Sequence, residues 1–279
     1  MHDYYLASMD CDFSAAQLFH WQRAITLFNS KLSGPIETRE KDALWATTVM
    51  LGTAAFGNID VRTPEEAWPL KPPSSLDLNW LKMSDGKKEV FKLAEPDRAD
   101  SIFHPLMEEF KSLSVTPSLE LDEFPETFIK LFGLDAPLNT DNGPYRTSCM
   151  ALSKVLGSNI KQNIILGFLK FISYMDAPYK QLLEGKDPRA LLLLSYWYAK
   201  VNESGIWWML KRARLECQAI CMYLERYCWQ DGDIQMLMEY PKRICFDDAT
   251  IGSLIRDGSL DLPSCALKRE ELLRRRSSS

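Results

Sequence analysis

Histidine is scarce in this chain, and so are the signatures of the commoner catalytic chemistries. Among 279 residues there are three histidines, His2, His20 and His104. None stands in an HExxH or comparable zinc-binding spacing. A GxSxG elbow, a GxxxxGK[ST] phosphate loop and a GxGxxG turn are all missing, which removes the motif-based cases for an α/β-hydrolase, a P-loop NTPase and a Rossmann enzyme. No apolar run reaches the ~18–20 residues that a membrane-spanning helix needs. The opening "MHDYYLASMDCDF" carries acids where a secretory signal has a basic stretch and an apolar core. Neither a CxxC pair, nor a β-hairpin signal, nor an internal repeat is found. His20, beside Trp21 in an amphipathic pattern, reads as a boundary residue rather than a base.

What is present points to a large helical core. Hydrophobic residues make up 46% of the chain, enough at this length for a sizeable interior. The net charge of −5 gives the bulk surface no general attraction for DNA or anionic membranes. Seven cysteines, odd in number and widely spaced, suit reduced thiols better than a disulfide framework. Cys217, Cys221 and Cys228 fall at i, i+4 and i+11 of a helical pattern. Without partner histidines or CxxC pairs they read as small apolar core residues rather than metal ligands.

The dominant period is 3.6 residues. Leu18, Trp21, Ile25, Phe28 and Leu32 define one apolar helix face, stopped by Gly34-Pro35. Residues 39–58 are apolar on most sides. The proline-rich stretch 64–75 reads as an irregular connection that docks Trp68. A helix is expected over 76–96, with a possible break at Asp85-Gly86, and a short one follows near "DSIFHPLMEEFKSL". Residues 114–144 carry loop composition around a short helix at "PETFIKLFGL". Two helices are expected at 145–156 and 159–175, the second with Ile164, Phe168, Phe171 and Met175 inward, and a short one at "APYKQLLEG".

The densest stretch is "DPRALLLLSYWYAKVNESGIWWML", residues 187–210. Asp187 suits an N-cap, and Pro188 suits the first helical position, where its missing N–H costs nothing. Leu191 to Tyr198 surround the helix with apolar groups, as in a central helix. "NESG" at 202–205 breaks it. Ile206, Leu210, Ala213, Cys217, Ile220, Leu224 and Tyr227 then form the stripe of a partner helix, with Lys211, Gln218 and Glu225 on its polar face. Arg189 is expected to pair with an acid or to cap a neighbouring helix. One short helix is expected at 234–240, and the basic tail "LKREELLRRRSSS" reads as polar and disordered at its end. The fold class is all-α: a single multi-helix domain over 1–265, with a central buried hairpin at about 188–228 and a tail at 266–279.

Four segments carry a family resemblance: "DALWATTVMLGTAAF" (42–56), "AWPLKPPSSLDLNWLKM" (67–83), "NGPYRTSCMALSKVL" (142–156) and, above all, "DPRALLLLSYWYAKVNESGIWWMLKRARLECQAICMYL" (187–224). The chain resembles the C-terminal regulatory domain of fungal zinc-cluster transcription factors, in the group of the sterol uptake control regulators. Asp187, Pro188, Arg189, Ala190, Tyr196, Trp197, Trp207 and Trp208 match the family pattern by position, and the likeness covers about residues 15–230. It implies a nuclear, non-enzymatic, ligand-responsive helical module that can shuttle between cytosol and nucleus. It also implies a sterol or other apolar ligand, or a homodimer, as partner. The candidate ligand contacts are Tyr198, Trp207, Trp208 and Met209; Asp187, Pro188, Arg189 and Trp197 form the structural motif. Large aromatics at such positions also serve as plain core. Zinc and DNA contacts would belong to a six-cysteine cluster outside this sequence, so no cofactor is assigned to the chain itself. The other readings are a helical protein–protein interaction module without a small ligand and, last, a terpene-cyclase-like enzyme, for which Asp247-Asp248 is the nearest metal motif.

Overall fold

The longest buried run among the described residues, Ala190 to Ala199, is ten residues without a break, and the architecture is arranged around it. The computed structural model describes residues 15–112, 121–135, 143–157 and 164–246. The basic tail, Asp247-Asp248, Cys11 and Cys265 lie outside them. Among the described residues the regular structure is all helical, without a strand. In chain order the helices are α1 (Ala15–Leu32), α2 (Lys41–Gly57), α3 (Asn79–Ala94), α4 (His104–Ser112), α5 (Glu126–Leu131), α6 (Arg146–Gly157), α7 (Ile164–Tyr174), α8 (Ala177–Glu184), α9 (Pro188–Ser204), α10 (Trp207–Tyr227), α11 (Gly232–Leu237) and α12 (Glu239–Phe246).

The central hairpin is α9 and α10. The Asp187 carboxylate accepts the amides of Arg189 and Ala190 at 3.0 and 2.9 Å, and the Tyr145 hydroxyl donates to the same oxygen at 2.9 Å. Two orphan donors of the first turn are thereby satisfied. The sequence suggests a break at Asn202, but α9 continues through Ser204. Asn202 stays in the helix, its side chain donating to the Tyr198 carbonyl at 3.0 Å. Gly205 alone reverses the chain, at φ 68°, a left-handed conformation open to a residue without a Cβ.

Around α9 pack α10, α12, α6, α8 and α7. Phe168, Phe171 and Met175 of the α7 region are fully buried, as their spacing predicts. Trp68 is buried too, after a single 3-10 turn at Pro64–Glu66. The C-terminal segment differs from expectation. Two helices, α11 and α12, stand where the sequence suggests one, and α12 covers part of α10. That cover buries Gln218, which the sequence assigned to the polar face; its amide donates to the Cys245 carbonyl at 2.7 Å.

Helices α2 and α3 lie side by side and bridge two apolar clusters. At one end Phe56 and Trp80 enter the main core. At the other, Leu44, Trp45, Val90, Ala94 and Met107 form a separate cluster, with Phe28 and Leu32 of α1 against it. The expected face of α1 is therefore covered only over its last turns, and Leu18 is 46% exposed. The break expected at Asp85-Gly86 does not occur. Asp85 is held by Lys180 and Lys88, contacts that offset the roughly 1 kcal/mol a helical glycine costs.

Candidate functional site

The site grows from one edge of the α10 stripe. Arg212 and Glu216 are one turn apart and flank the buried Ala213 and Cys217. Neither reaches bulk water freely: their side chains are 11% and 5% exposed. Charges so placed must be paired and fully hydrogen-bonded, because desolvation otherwise costs more than their attraction returns. Both conditions are met. The Arg212 guanidinium is paired with Glu216 Oε1, while Glu216 Oε2 accepts the Tyr198 hydroxyl of α9. Arg212 Nε donates to the Phe56 carbonyl at 2.6 Å, and Nη2 donates to Asn58 and Ala55 carbonyls at 3.0 and 3.3 Å. These acceptors are carbonyls of the last turn of α2 and of its C-cap Asn58, at the negative end of its dipole. One cation thus closes one helix, pairs with an acid on a second and, through that acid, reaches a third.

An aromatic box surrounds this network. The Phe56 ring meets Trp80, Trp197 and Trp208 edge-on, with centroids 5.1, 5.9 and 5.9 Å away, and Arg212 lies 5.5 Å from its centre. Trp80 and Trp197 are parallel at 6.0 Å. Such edge-on and offset arrangements match the ring quadrupoles. The indole N–H of each of these two tryptophans is buried with no acceptor among the described residues.

Of the four candidate ligand contacts, the structure brings two to this junction. Tyr198 leans on Trp80 at 6.4 Å, and Trp208 reaches Phe56 from the start of α10. Met209, 1% exposed, is packed into the main core, and Trp207, 37% exposed, stands at the surface. The four do not line one wall. In the structural motif, Asp187 and Pro188 start α9 and Trp197 is fully buried in the box. Arg189 departs from expectation. It is exposed in the first turn of α9 and makes no ion pair among the described residues. The helix-capping, acid-paired arginine is Arg212. Sequence reading missed Arg212, Glu216, Phe56 and Trp80. A charge pair at i, i+4 on the edge of an apolar stripe was the available signal for the first two; nothing local joins Phe56 to Trp80.

The protonation chemistry is conservative. Burial, then the charge of Glu216, pushes the Tyr198 hydroxyl well above the usual phenol range, and Arg212 offsets this in part. Tyr198 therefore remains a donor. Burial likewise pushes the Cys217 thiol up, with the neighbouring Cys221 and Cys245 thiols adding to the effect, so it serves as apolar filling rather than a nucleophile. Cys228, half-buried, lies outside this thiol group. His20 is exposed on α1, and His104 Nδ1 lies 2.8 Å from the Asp97 carbonyl at the start of α4. Among the described residues no group of three or more His, Cys, Asp or Glu is placed to hold a metal ion, and no helix is long and apolar enough to cross a membrane. What the junction does is positional: it fixes the angle between α2 and the hairpin. No family model matches the chain, and neither a curated protein nor a solved structure does.

Proposed function

We propose that the chain is a regulatory domain of the fungal zinc-cluster transcription factor kind, of the sterol uptake control group, which senses an apolar ligand or dimerises and acts in the nucleus. The observation that carries the reading is the junction of α2, α9 and α10. The stretch with the most specific resemblance, 187–224, supplies its buried arginine, acid, tyrosine and two of its tryptophans. A domain that signals needs a joint with discrete arrangements, and a buried ion pair bridging three helices is suited to be one. DNA and zinc would be engaged by a cluster outside this sequence.

Melting of the purified protein with and without ergosterol-like sterols tests the sensing arm. A ligand at 100 times its Kd stabilises the fold by about 2.7 kcal/mol, a rise of several degrees for a chain of this size. No shift across a sterol panel removes the sensing arm. The second reading, an interaction module, is favoured by Tyr227, Trp229 and Met236, exposed at 61%, 68% and 61% where α10 runs into α11. Large exposed apolar groups in one region mark contact surfaces. Under that reading the melting point is indifferent to sterol, and Trp229→Ser lowers the self-association measured by light scattering.

A further inference from the structure

Four lysines stand on α3: Lys82, Lys87, Lys88 and Lys92. Three have a carboxylate. Lys88 lies 3.5 Å from Asp85, Lys92 2.7 Å from Glu89 and Lys82 3.8 Å from Glu184. Lys87 has no carboxylate and no hydrogen-bond partner among the described residues, although it is the one drawn inward, toward α2. Its side chain is laid across Gly52, where a single methyl group would collide with its Cε and Nζ. The seat falls midway along the α2–α3 pair. Phe56 and Trp80 enter the main core on one side of it, and Leu44, Trp45, Val90 and Ala94 enter the second cluster on the other. Helical spacing places Met83, Ser84, Val90 and Phe91 one turn away, without an acid.

An amine in such a seat has lost water and gained no counter-charge. Burial holds it below the ordinary lysine range. A carbonyl group suits the seat, because it reacts with the free amine. We propose that Lys87 is a carbonyl-trapping amine, at which a small apolar aldehyde or ketone is held as an imine. The Nζ lone pair adds to the carbonyl carbon, and the C=O π pair moves to oxygen, which takes a proton. The resulting carbinolamine expels that oxygen as water, and the nitrogen gives its remaining proton to solvent, leaving C=N. Amine and carbonyl yield imine and water, with no change of oxidation state.

The test is pentanal with cyanoborohydride, which reduces the imine to a stable amine, on the native protein at pH 7, read by peptide mass spectrometry. Lys87 is expected to be alkylated several-fold faster than Lys88 and Lys92. Lys87→Arg should abolish the fast label while leaving helical circular dichroism and the slower labels unchanged. Gly52→Ala, which displaces only the flexible end of the lysine, should bring Lys87 down to the rate of Lys88. A native rate for Lys87 no faster than that of Lys88 overturns the proposal, as does a fast rate that survives in urea.

Discussion

At one end of the α2–α3 pair, Phe56 and Trp80 enter a core in which Leu191 to Leu194, Trp197 and Tyr198 have no exposed surface. At the other end, Leu44, Trp45, Val90 and Ala94 meet Met107, and the cover supplied by α1 is partial. The same two helices serve both regions, yet different forces hold them. The main core rests on apolar burial around the internal Arg212–Glu216 pair. The smaller cluster rests on polar ties at its rim. Asp42 accepts Arg98 at 2.7 Å, Ser101 at 2.8 Å and the Ile102 amide at 3.1 Å. Glu40 accepts Lys31 of α1 at 2.5 Å. Arg98 in turn donates to the Ala94 carbonyl at 3.0 Å, at the end of α3. A region with few buried groups and exposed ties opens at lower free energy than a packed core, so α1 to α4 should behave as a separate, weaker cooperative unit.

The largest test of that contrast removes the internal acid. Glu216→Ala leaves Arg212 buried with carbonyls but no counter-charge, and should cost about 3–5 kcal/mol, with the low end favoured by the three remaining acceptors. Urea denaturation followed by circular dichroism measures it. The double variant Arg212→Met, Glu216→Leu should recover most of the loss, because the pair is costly to break and not costly to replace. A double variant as unstable as the single one would contradict the account of the junction.

A smaller effect is expected from Met107→Ala. It should cost roughly 2 kcal/mol, the lower end for such truncations, and the loss should be local. Hydrogen exchange should quicken in α4 and the first turns of α2 while α9 amides hold their protection. Uniform quickening would show one cooperative unit instead of two.

The smallest effect is one of pH. Burial raises the Asp42 carboxyl, but the Ser101 hydroxyl, the Ile102 amide and Arg98 outweigh it and leave it below the ordinary range. The Lys31 ammonium and the Glu37 amide hold Glu40 low as well. Both carboxylates are more acidic in the folded chain. Their stabilisation is complete above the unfolded value, about 4, and fades as pH falls through the lower folded values. Acid should therefore loosen the rim of the smaller cluster ahead of the main core, visible as faster exchange in α1 and α4 between pH 5 and 3. Asp42→Asn should flatten that pH response.

The two regions also differ in how far they are legible in sequence. The hairpin reads well because its signals are local: a cap at Asp187, apolar residues on all sides of α9, and a four-three rhythm in α10. The fate of Gln218 was not local, since it depends on α12, whose own pattern is weak. The extent of α1 burial failed for a related reason. Periodicity shows which face is apolar and does not show whether another helix arrives to cover it. The junction of α2, α9 and α10 lies between these cases. Tyr198 and Trp208 were found as aromatics on the hairpin, whereas Phe56 and Trp80 come from distant segments, and Arg189 was preferred to Arg212 because it stands in the most recognisable motif. The glycine in α3 misled for want of Lys180, an ion-pair partner 95 residues from Asp85.

The capping of α2 by Arg212 also bears on how the chain emerges during synthesis. The Phe56 carbonyl waits for a donor 156 residues further along, roughly 8–30 s of translation at about 5–20 residues per second. The cluster of α1 to α4 has every member in place by Met107 and can assemble on the nascent chain. Helix α2 is thus finished from its beginning toward its end, and its far carbonyls stay hydrated until the hairpin arrives. For that interval the end of α2, with Phe56 beside it, is the part of the α2–α3 pair still without its cover.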